Sequence, residues 1–559
     1  MLYRDVETLG QMQKMLSIAV GIAALTLTSV AAAQFDGPAP LAWRWQQSST
    51  TAPGGSPLVL GDTIYQSLGG RVFALDKETG NLRWRFPALD PMDGIFRSAP
   101  IFSAGTLVAA CDNKLIVGID PGTGQLKWSF PTPAPVFGQP VTVGKFVVAA
   151  LSDNTLVAIN PADGSPAWKA PYHIYEGIQG SLGVYQNSIL ICTNQTKLIS
   201  FNVGTQKMDW VRPFTQLPAK PTPIVQDDRI YITTGSYLAA LNALTGLPVW
   251  QVDTRMDLAY APACSGYGIL VVSSDGHAAI YDTDHRLLTR KPIELGSSPI
   301  ARPTPVGKKF VVPTSNGGVI LVDSASGKTL WNYIIHPVDE PTSSAPATGG
   351  RGKGGGPGGF GGGVGGFGGG GQAKTDEKVY FIQASAPVVL AGQTLLVPAK
   401  DGSLLAFDSN LGIDLTPPTT KMLFPNAGEQ VCGLPPLILI FKIEDENSGI
   451  NKDSLKISVD GNDLEYTITK EGFALVRFSL QGKNRSLPDG RHVFTVTVSD
   501  WMGNEGKTNY SLIIDNLLPR IILPGEDANK TGGPGGKGGF GGGPPGGGFG
   551  GGGAGDSGG

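Results

Sequence analysis

The sequence predicts an all-β protein: an eight-bladed β-propeller closed by an N-terminal strand, followed by an immunoglobulin-like sandwich and glycine-rich disordered segments. Three observations carry this expectation. A pattern of about forty residues recurs through the middle of the chain, the runs between its copies alternate in the manner of strands, and the pattern stops at Pro417-Pro418. Self-similarity of this period is the mark of a repeat architecture, whose units must stack to bury their faces.

The repeat opens on an Asp or Asn and ends on a tryptophan. Asp76…Gly80…Trp84, Asp120…Gly124…Trp128, Asn160…Gly164…Trp168, Asn242…Gly246…Trp250 and Asp323…Gly327…Trp331 keep the full pattern. Asn202…Trp210 has its glycine displaced to Gly204, Asp282 begins a copy with Arg290 at the tryptophan position, and Asp408…Gly412 begins one with no tryptophan. Successive Asp/Asn positions lie 44, 40, 42, 40, 40, 41 and 85 residues apart. Before each comes an apolar or alternating run such as Arg71-Val-Phe-Ala-Leu, and upstream another such as Thr106-Leu-Val-Ala-Ala. Both read as strands by period and β-branched content. The Asp/Asn side chain can hold a turn through its own backbone, and the glycine supplies positive φ. The last strand alternates, with Leu82, Trp84 and Phe86 on one face, so each unit reads as four antiparallel strands with an aromatic plug.

Eight Asp/Asn positions imply eight blades, the last of which lacks its tryptophan strand. Leu41-Ala-Trp43-Arg-Trp45 echoes Leu82-Arg-Trp84-Arg-Phe86 and has no blade strands before it, so it is expected to complete the eighth blade. The repeated tryptophans Trp43, Trp84, Trp128, Trp168, Trp210, Trp250 and Trp331 are read as plugs between blades, not as a stacking platform for a ligand. The expected propeller covers residues 38–415, with a glycine-rich loop inserted at about 345–375.

The flanks are of different character. Residues 1–33 read as a secretory signal: Lys14, an apolar run from Leu16 to Val30, then Ala31-Ala32-Ala33, with translation starting at Met12 or Met15 and cleavage before Gln34. No cysteine follows the small residues, and no other apolar run is long enough to cross a bilayer, so no transmembrane anchor is expected after cleavage. Residues 416–518 show short strands over Pro435–Ile443, Ser454–Val459, Leu464–Thr469, Ala474–Ser479 and His492–Val498, the spacing of an Ig-like sandwich. Residues 519–559 form a glycine-rich tail. Of 80 glycines, 36 fall in 349–371 and 532–559, and such tracts cannot order themselves.

Composition excludes several functions. A net charge of −3, from 43 Lys plus Arg against 46 Asp plus Glu, makes nucleic acid a poor partner. Cys111, Cys192, Cys264 and Cys432 are widely separated and form neither a zinc ribbon nor a disulfide framework. The five histidines lack metal-ligand spacing, and His277 and His285 read as surface residues of the degenerate copy.

The Asp-x-x-Thr-Gly-x-x-x-Trp pattern of Asp76-Thr79-Gly80-Trp84, Asp120-Thr123-Gly124-Trp128 and Asn242-Thr245-Gly246-Trp250 resembles the repeat of the pyrroloquinoline-quinone (PQQ)-type propeller superfamily. That superfamily includes quinoprotein dehydrogenases and non-enzymatic outer-membrane assembly proteins of the BamB type, and fold alone does not choose between them. The resemblance implies a vicinal disulfide and a calcium ion beside the quinone in the dehydrogenase case. Neither adjacent cysteines nor a cytochrome-attaching C-x-x-C-H is present. The expectation is therefore an exported non-catalytic scaffold with no catalytic residues and no bound PQQ or calcium cofactor. Its expected partner is an envelope or secreted protein. A PQQ-dependent dehydrogenase with an atypical site, or a binder of surface or cell-wall polysaccharide, is the alternative.

Two residue groups are candidate sites. Arg97, Lys220 and Arg302 each precede an X-Pro step of an inner strand and could meet an anionic ligand or an acidic partner segment; solvated rim charge is the simpler reading. Asp445, Glu446, Asp500 and Asn504 offer hard oxygen ligands for calcium, although turn formation explains them equally simply.

Overall fold

The computed structural model describes residues 34–47, 51–217, 221–337, 381–469 and 472–520, all strand, turn or irregular structure with no helix. The expected signal segment, the 345–375 insertion, Lys220 and the tail beyond residue 520 lie outside the described residues.

Eight four-stranded antiparallel sheets occupy residues 41–407 of the described chain. Sheets 1 to 7 are each built from four consecutive strands, beginning with Leu58–Leu60, Thr63–Leu68, Arg71–Asp76 and Leu82–Phe86 in sheet 1. The eighth takes three strands from Val389–Ala391, Thr394–Pro398 and Ser403–Phe407, and its fourth from Leu41–Gln46. Trp43 pairs with Ala406 and Trp45 with Leu404, the closure expected from the N-terminal tryptophan strand.

Middle strands are buried on both faces, and alternate residues serve different neighbours. In Thr106–Cys111, Leu107, Ala109 and Cys111 pack with Tyr65, Phe86 and Phe96 toward sheet 1, while Val108 and Ala110 pack with Val147 and Ile159 toward sheet 3. This explains why these strands read as continuous apolar runs. The same sharing passes around the ring, and Ile64, Phe73 and Leu75 of sheet 1 meet Leu396, Leu404 and Ala406 of sheet 8. Each such fully buried side chain stabilises by roughly 1.5–3 kcal/mol, so a missing neighbour would expose a whole row of them.

The turn chemistry is local and repeated. The Asp76 carboxylate accepts the backbone N–H groups of Glu78 (3.0 Å) and Thr79 (2.9 Å) and the Thr79 hydroxyl (2.9 Å). Asp120 and Asn242 hold their turns in the same way. Gly124 sits at φ 72°, and a Cβ there would lie 2.6 Å from the Trp84 indole, so glycine is required both for the turn and for the tryptophan.

Most of the repeat tryptophans dock on the turn of the following sheet. Trp84 Nε1 donates to the Pro121 carbonyl (3.0 Å), Trp128 to Pro161 (3.0 Å), Trp168 to Val203 (3.0 Å) and Trp250 to Thr283 (2.9 Å). Trp43 donates to Lys77 (3.1 Å), which carries the pattern across the closure. Trp210 packs on Gly246 in the same manner, but its indole N–H has no partner. In sheet 6 the residue at the tryptophan position, Arg290, is exposed; Thr289 and Ile293 instead cover Gly327 of the next turn.

Residues 419–514 form two sheets around a separate core. One holds Thr419–Phe424, Leu437–Glu444, Ala474–Phe478 and Tyr466–Ile468, in that order. The other holds Gln430–Val431, Glu505–Ile514, Gly490–Asp500, Ile450–Val459 and Asn462–Asp463. Leu437, Leu439, Phe441 and Ile443 alternate inward and meet Phe494, Val496 and Val498 from the facing sheet. The sequence reading lacks the strands Thr419–Phe424 and Glu505–Ile514. The first is short and the second begins on the polar run Glu505-Gly-Lys-Thr-Asn509, so neither shows a full alternation. Strand Ile450–Val459 starts four residues earlier than expected, because a bulge between Asn451 and Lys456 interrupts its pattern.

Candidate functional site

Of the basic residues named from sequence, Arg97 and Arg302 lie among the described residues. The Arg97 guanidinium pairs with Asp112 of its own sheet (Nε to Oδ2, 2.8 Å), while the other Asp112 oxygen accepts the Ile95 N–H (2.7 Å). Arg97 remains two-thirds exposed, as a rim charge would be. Arg302 is desolvated by burial, which lowers its pKa, and it lies near Cys264, whose thiol burial pushes up to about 12. All four cysteines are free thiols. His277 is paired with Asp275, and the exposed His285 ring lies against Trp250, with centroids 5.6 Å apart.

The acidic residues named from sequence are brought together in part, around one that the sequence reading passed over. Asp414, Asp445 and Asp500 each place a carboxylate oxygen within 4.8 Å of the other two. They come from the segment leaving sheet 8, the end of strand Leu437–Glu444 and the end of strand Gly490–Asp500. All three are buried, at 7%, 5% and 1% exposure. Glu446 is exposed and stands outside the cluster, its backbone carbonyl accepting the Tyr333 hydroxyl (2.8 Å). Asn504 borders the cluster, its amide donating to Asp500 (2.7 Å) and to the Asp414 carbonyl (3.1 Å).

Local backbone geometry positions each carboxylate. Asp445 Oδ1 accepts three N–H groups, from Asn447 (3.1 Å), Ser448 (2.9 Å) and Gly449 (2.7 Å). Asp500 accepts the Asn504 N–H (2.9 Å), and Asp414 Oδ1 accepts the Thr416 N–H and hydroxyl (both 3.0 Å). Burial raises the Asp445 pKa; the Gly449 and Ser448 N–H groups oppose it, and the charges of Asp414 and Asp500 reinforce it. Burial also pushes Asp414 upward, but the combined hydrogen bonding of Ser448, Thr416 and Asn447 outweighs it and leaves that carboxyl lowered. Three hard oxygen donors at one point suit a divalent cation better than a thiolate- or imidazole-loving metal. Asp414 carries no signal in the sequence: it is a single acid between the exposed Ile413 and Leu415, past the end of the repeat.

This cluster lies where the sandwich meets the propeller. Trp331 Nε1 donates to the Ser448 carbonyl (2.9 Å), the Leu41 N–H to the Asn447 carbonyl (2.7 Å), and Trp501 Nε1 to the Asn332 carbonyl (3.3 Å). A cavity of about 30 Å³ beside it, the room of a water molecule or two, is lined by Asn332, Ile334, His336, Asp445 and Lys452. Burial lowers the Lys452 pKa.

Comparison with known proteins places the similarity on the propeller. The family model described as outer membrane protein assembly factor BamB matches residues 42–237 and 214–346. The outer membrane protein assembly factor BamB of Bordetella pertussis is 24% identical over 272 residues, covering 45% of this chain and 68% of that protein. Its counterparts in Alkalilimnicola ehrlichii and Burkholderia pseudomallei are 25% and 23% identical, and the chain spans about half of their length, 49% and 48%. Among solved structures, BamB from Moraxella catarrhalis aligns with a TM-score of 0.46 at 13% identity, over 66% of this chain and 98% of that one. Sqt1 of Saccharomyces cerevisiae aligns at 0.47 and 11% identity, over 66% and 99%.

Proposed function

The chain belongs to the family of the outer membrane protein assembly factor BamB, and from that premise we propose that it is an exported, non-catalytic scaffold binding protein partners in the cell envelope. The observation that carries this reading is the family match across 42–346, laid over sheets whose tryptophan-to-turn docking runs through the same residues. The signal-like order of Lys14, Leu16–Val30 and Ala31-Ala32-Ala33 supports export. Apolar side chains left at the surface, among them Leu244 (66% exposed) and Leu247 (60%) beside Val249 in sheet 5, suit contact with another protein.

The sandwich is part of the proposal as a second module of immunoglobulin-like type. Its two sheets follow the strand orders A-B-E-D and A′-G-F-C-C′ when lettered along the chain, which supports that reading. PQQ is left out: free, separate thiols supply no vicinal disulfide, and the cofactor's redox chemistry would still need the protein to position and polarise it.

The test is deletion and complementation in the native host, with cell fractionation. Loss of the protein should lower the amount of folded outer-membrane proteins, and the full chain should fractionate with the envelope and restore them. Unchanged outer-membrane protein levels would refute the assembly reading. Tight PQQ binding with substrate-dependent dye reduction would replace the scaffold with a dehydrogenase.

A further inference from the structure

We propose that Arg302 seats a carboxylate at the central axis of the propeller, borne by a small organic acid or by an acidic side chain of a partner's extended segment. The segments entering the sheets close a ring around that axis. The first strands of sheets 2 to 7 touch their neighbours in turn. The Thr304 hydroxyl of sheet 7 donates to the Val388 carbonyl at the entry to sheet 8 (2.9 Å), and the Ser56 hydroxyl at the entry to sheet 1 donates to Pro387 (2.7 Å). A Cβ on Gly54 would lie 1.8 Å from the Phe96 carbonyl, so the entries to sheets 1 and 2 are equally close.

Register makes Arg302 one of eight equivalent residues on this ring. Thr304 pairs with Val311 as Leu58 pairs with Tyr65 and Ile224 with Tyr231. Arg302 stands two residues before its pair, where the other two sheets have Ser56 and Thr222. The remaining sheets also have uncharged residues at that position, so Arg302 is the one charge of the eight. Ala301 and Pro303 on either side of it are buried, as are Pro57 and Pro223 beside its equivalents, whereas Arg302, Ser56 and Thr222 are not. This alternation turns Arg302 away from the packed faces and toward the axis.

The second observation is that its guanidinium has no counter-charge. Among the described residues it takes part in no hydrogen bond and no ion pair, whereas Arg97 is paired with Asp112. Surrounding protein desolvates Arg302, and the group that bears on it electrostatically is Cys264, a thiol kept protonated at neutral pH by its raised pKa of about 12. A guanidinium has five N–H donors and no acceptor, so a desolvated one without a partner costs free energy that an incoming anion recovers. One cation balances one carboxylate, and the planar fork matches its two oxygens; a phosphate dianion would leave surplus charge among neutral neighbours. The site stands apart from the scaffold reading, because carboxylate binding is a property of the chain whatever its partners.

The experiment titrates the full chain at low ionic strength with two probes. Sodium acetate is compared with sodium chloride, and the capped peptide Gly-Glu-Gly with Gly-Gln-Gly. Calorimetry should show binding of a carboxylate probe that weakens about tenfold or more in Arg302→Met, the loss of one charge-assisted pair. Acetate binding alone assigns the seat to a small organic acid, and tighter binding of the glutamate peptide assigns it to a partner's side chain. Arg302→Lys keeps the charge without the fork and should fall between parent and Arg302→Met. Without ligand, Arg302→Met should melt no lower than the parent, because it removes an uncompensated charge. Absence of binding by both carboxylate probes would overturn the proposal, as would equal binding by Arg302→Met. A methionine variant that melts well below the parent would also overturn it, by showing the guanidinium to be partnered within the fold.

Discussion

The Trp331 indole N–H donates to the backbone carbonyl of Ser448, 2.9 Å away and 117 residues later in the chain. In other sheets the equivalent tryptophan reaches the turn of the next propeller sheet, as Trp84 reaches Pro121. At Trp331 the sandwich supplies the turn instead, with Asp445 gathering the Asn447, Ser448 and Gly449 N–H groups as a repeat Asp does in its own turn. The two parts are thus joined by a contact of the same type that joins the sheets.

Trp331 is fully buried against Phe35, Tyr333 and Phe407. Trp331→Ala should destabilise the protein by about 3–5 kcal/mol, the usual cost of emptying an aromatic site. Trp331→Phe keeps most of the packing and should lose about 1 kcal/mol or somewhat more for the unpaired carbonyl. Denaturant unfolding checks both, and an alanine variant within 1 kcal/mol or so of the parent would show that the junction is not held there.

Removing residues 38–47 takes away Leu41–Gln46, which pairs along Ser403–Phe407, and with it Trp43 and Trp45. The sheet 8 edge and the row formed by Leu396, Leu404 and Ala406 would then meet solvent. Light scattering should report aggregation, and calorimetry a lower Tm. A deletion variant that melts with the parent would rule out the closure.

Gly124 and Gly105 make a matched pair, both at φ 72°. A Cβ at Gly124 meets the Trp84 indole at 2.6 Å, whereas a Cβ at Gly105 meets nothing within 4 Å. Gly105→Ala should cost about 1 kcal/mol from backbone strain alone, and Gly124→Ala clearly more, because the tryptophan must also move. Equal losses in chemical denaturation would mean that the indole does not depend on the missing side chain.

Asp76 has its pKa lowered to about 2 by the Arg83 guanidinium (2.6 Å), then by the Thr79 N–H and hydroxyl. The folded value lies below the ordinary 3.8, so its stabilisation is present above about pH 4 and is lost as pH falls through about 2. Asn serves the same turn at Asn242, so Asp76→Asn should keep the turn and lose the titration. The stability gap between parent and variant should narrow from pH 5 to pH 2 in paired melting curves. A gap that widens on acidification would contradict the ion pair.

The propeller was legible in the sequence because its determinants are local and repeated. The turn from Asp76 to Gly80 closes on its own backbone within five residues, and Trp84 stands at a fixed distance beyond it, so each copy announces itself without knowledge of its neighbours. The echo of this strand at Leu41–Trp45 was enough to place the closing strand, since a sheet lacking its tryptophan strand has one place to receive it. The sandwich was only partly legible. Leu437–Glu444 alternates cleanly, but Glu505–Ile514 owes its place to ten residues of pairing with Gly490–Asp500, which its polar first half does not advertise.

The junction was decided by tertiary structure alone. Asp414 lies 31 residues before Asp445 and 86 before Asp500, and nothing in its immediate neighbours marks it as an acidic partner. Its role appears only when the end of sheet 8 and two strand ends of the sandwich meet at one buried point. Glu446, adjacent in sequence to Asp445, is exposed in the turn that follows strand Leu437–Glu444 and that the Asp445 carboxylate caps. Sequence proximity therefore does not tell which carboxylates the packing brings together. Turns are set by interactions a few residues long, while a cluster of charges is set by which chain ends the packing of two separate cores brings together.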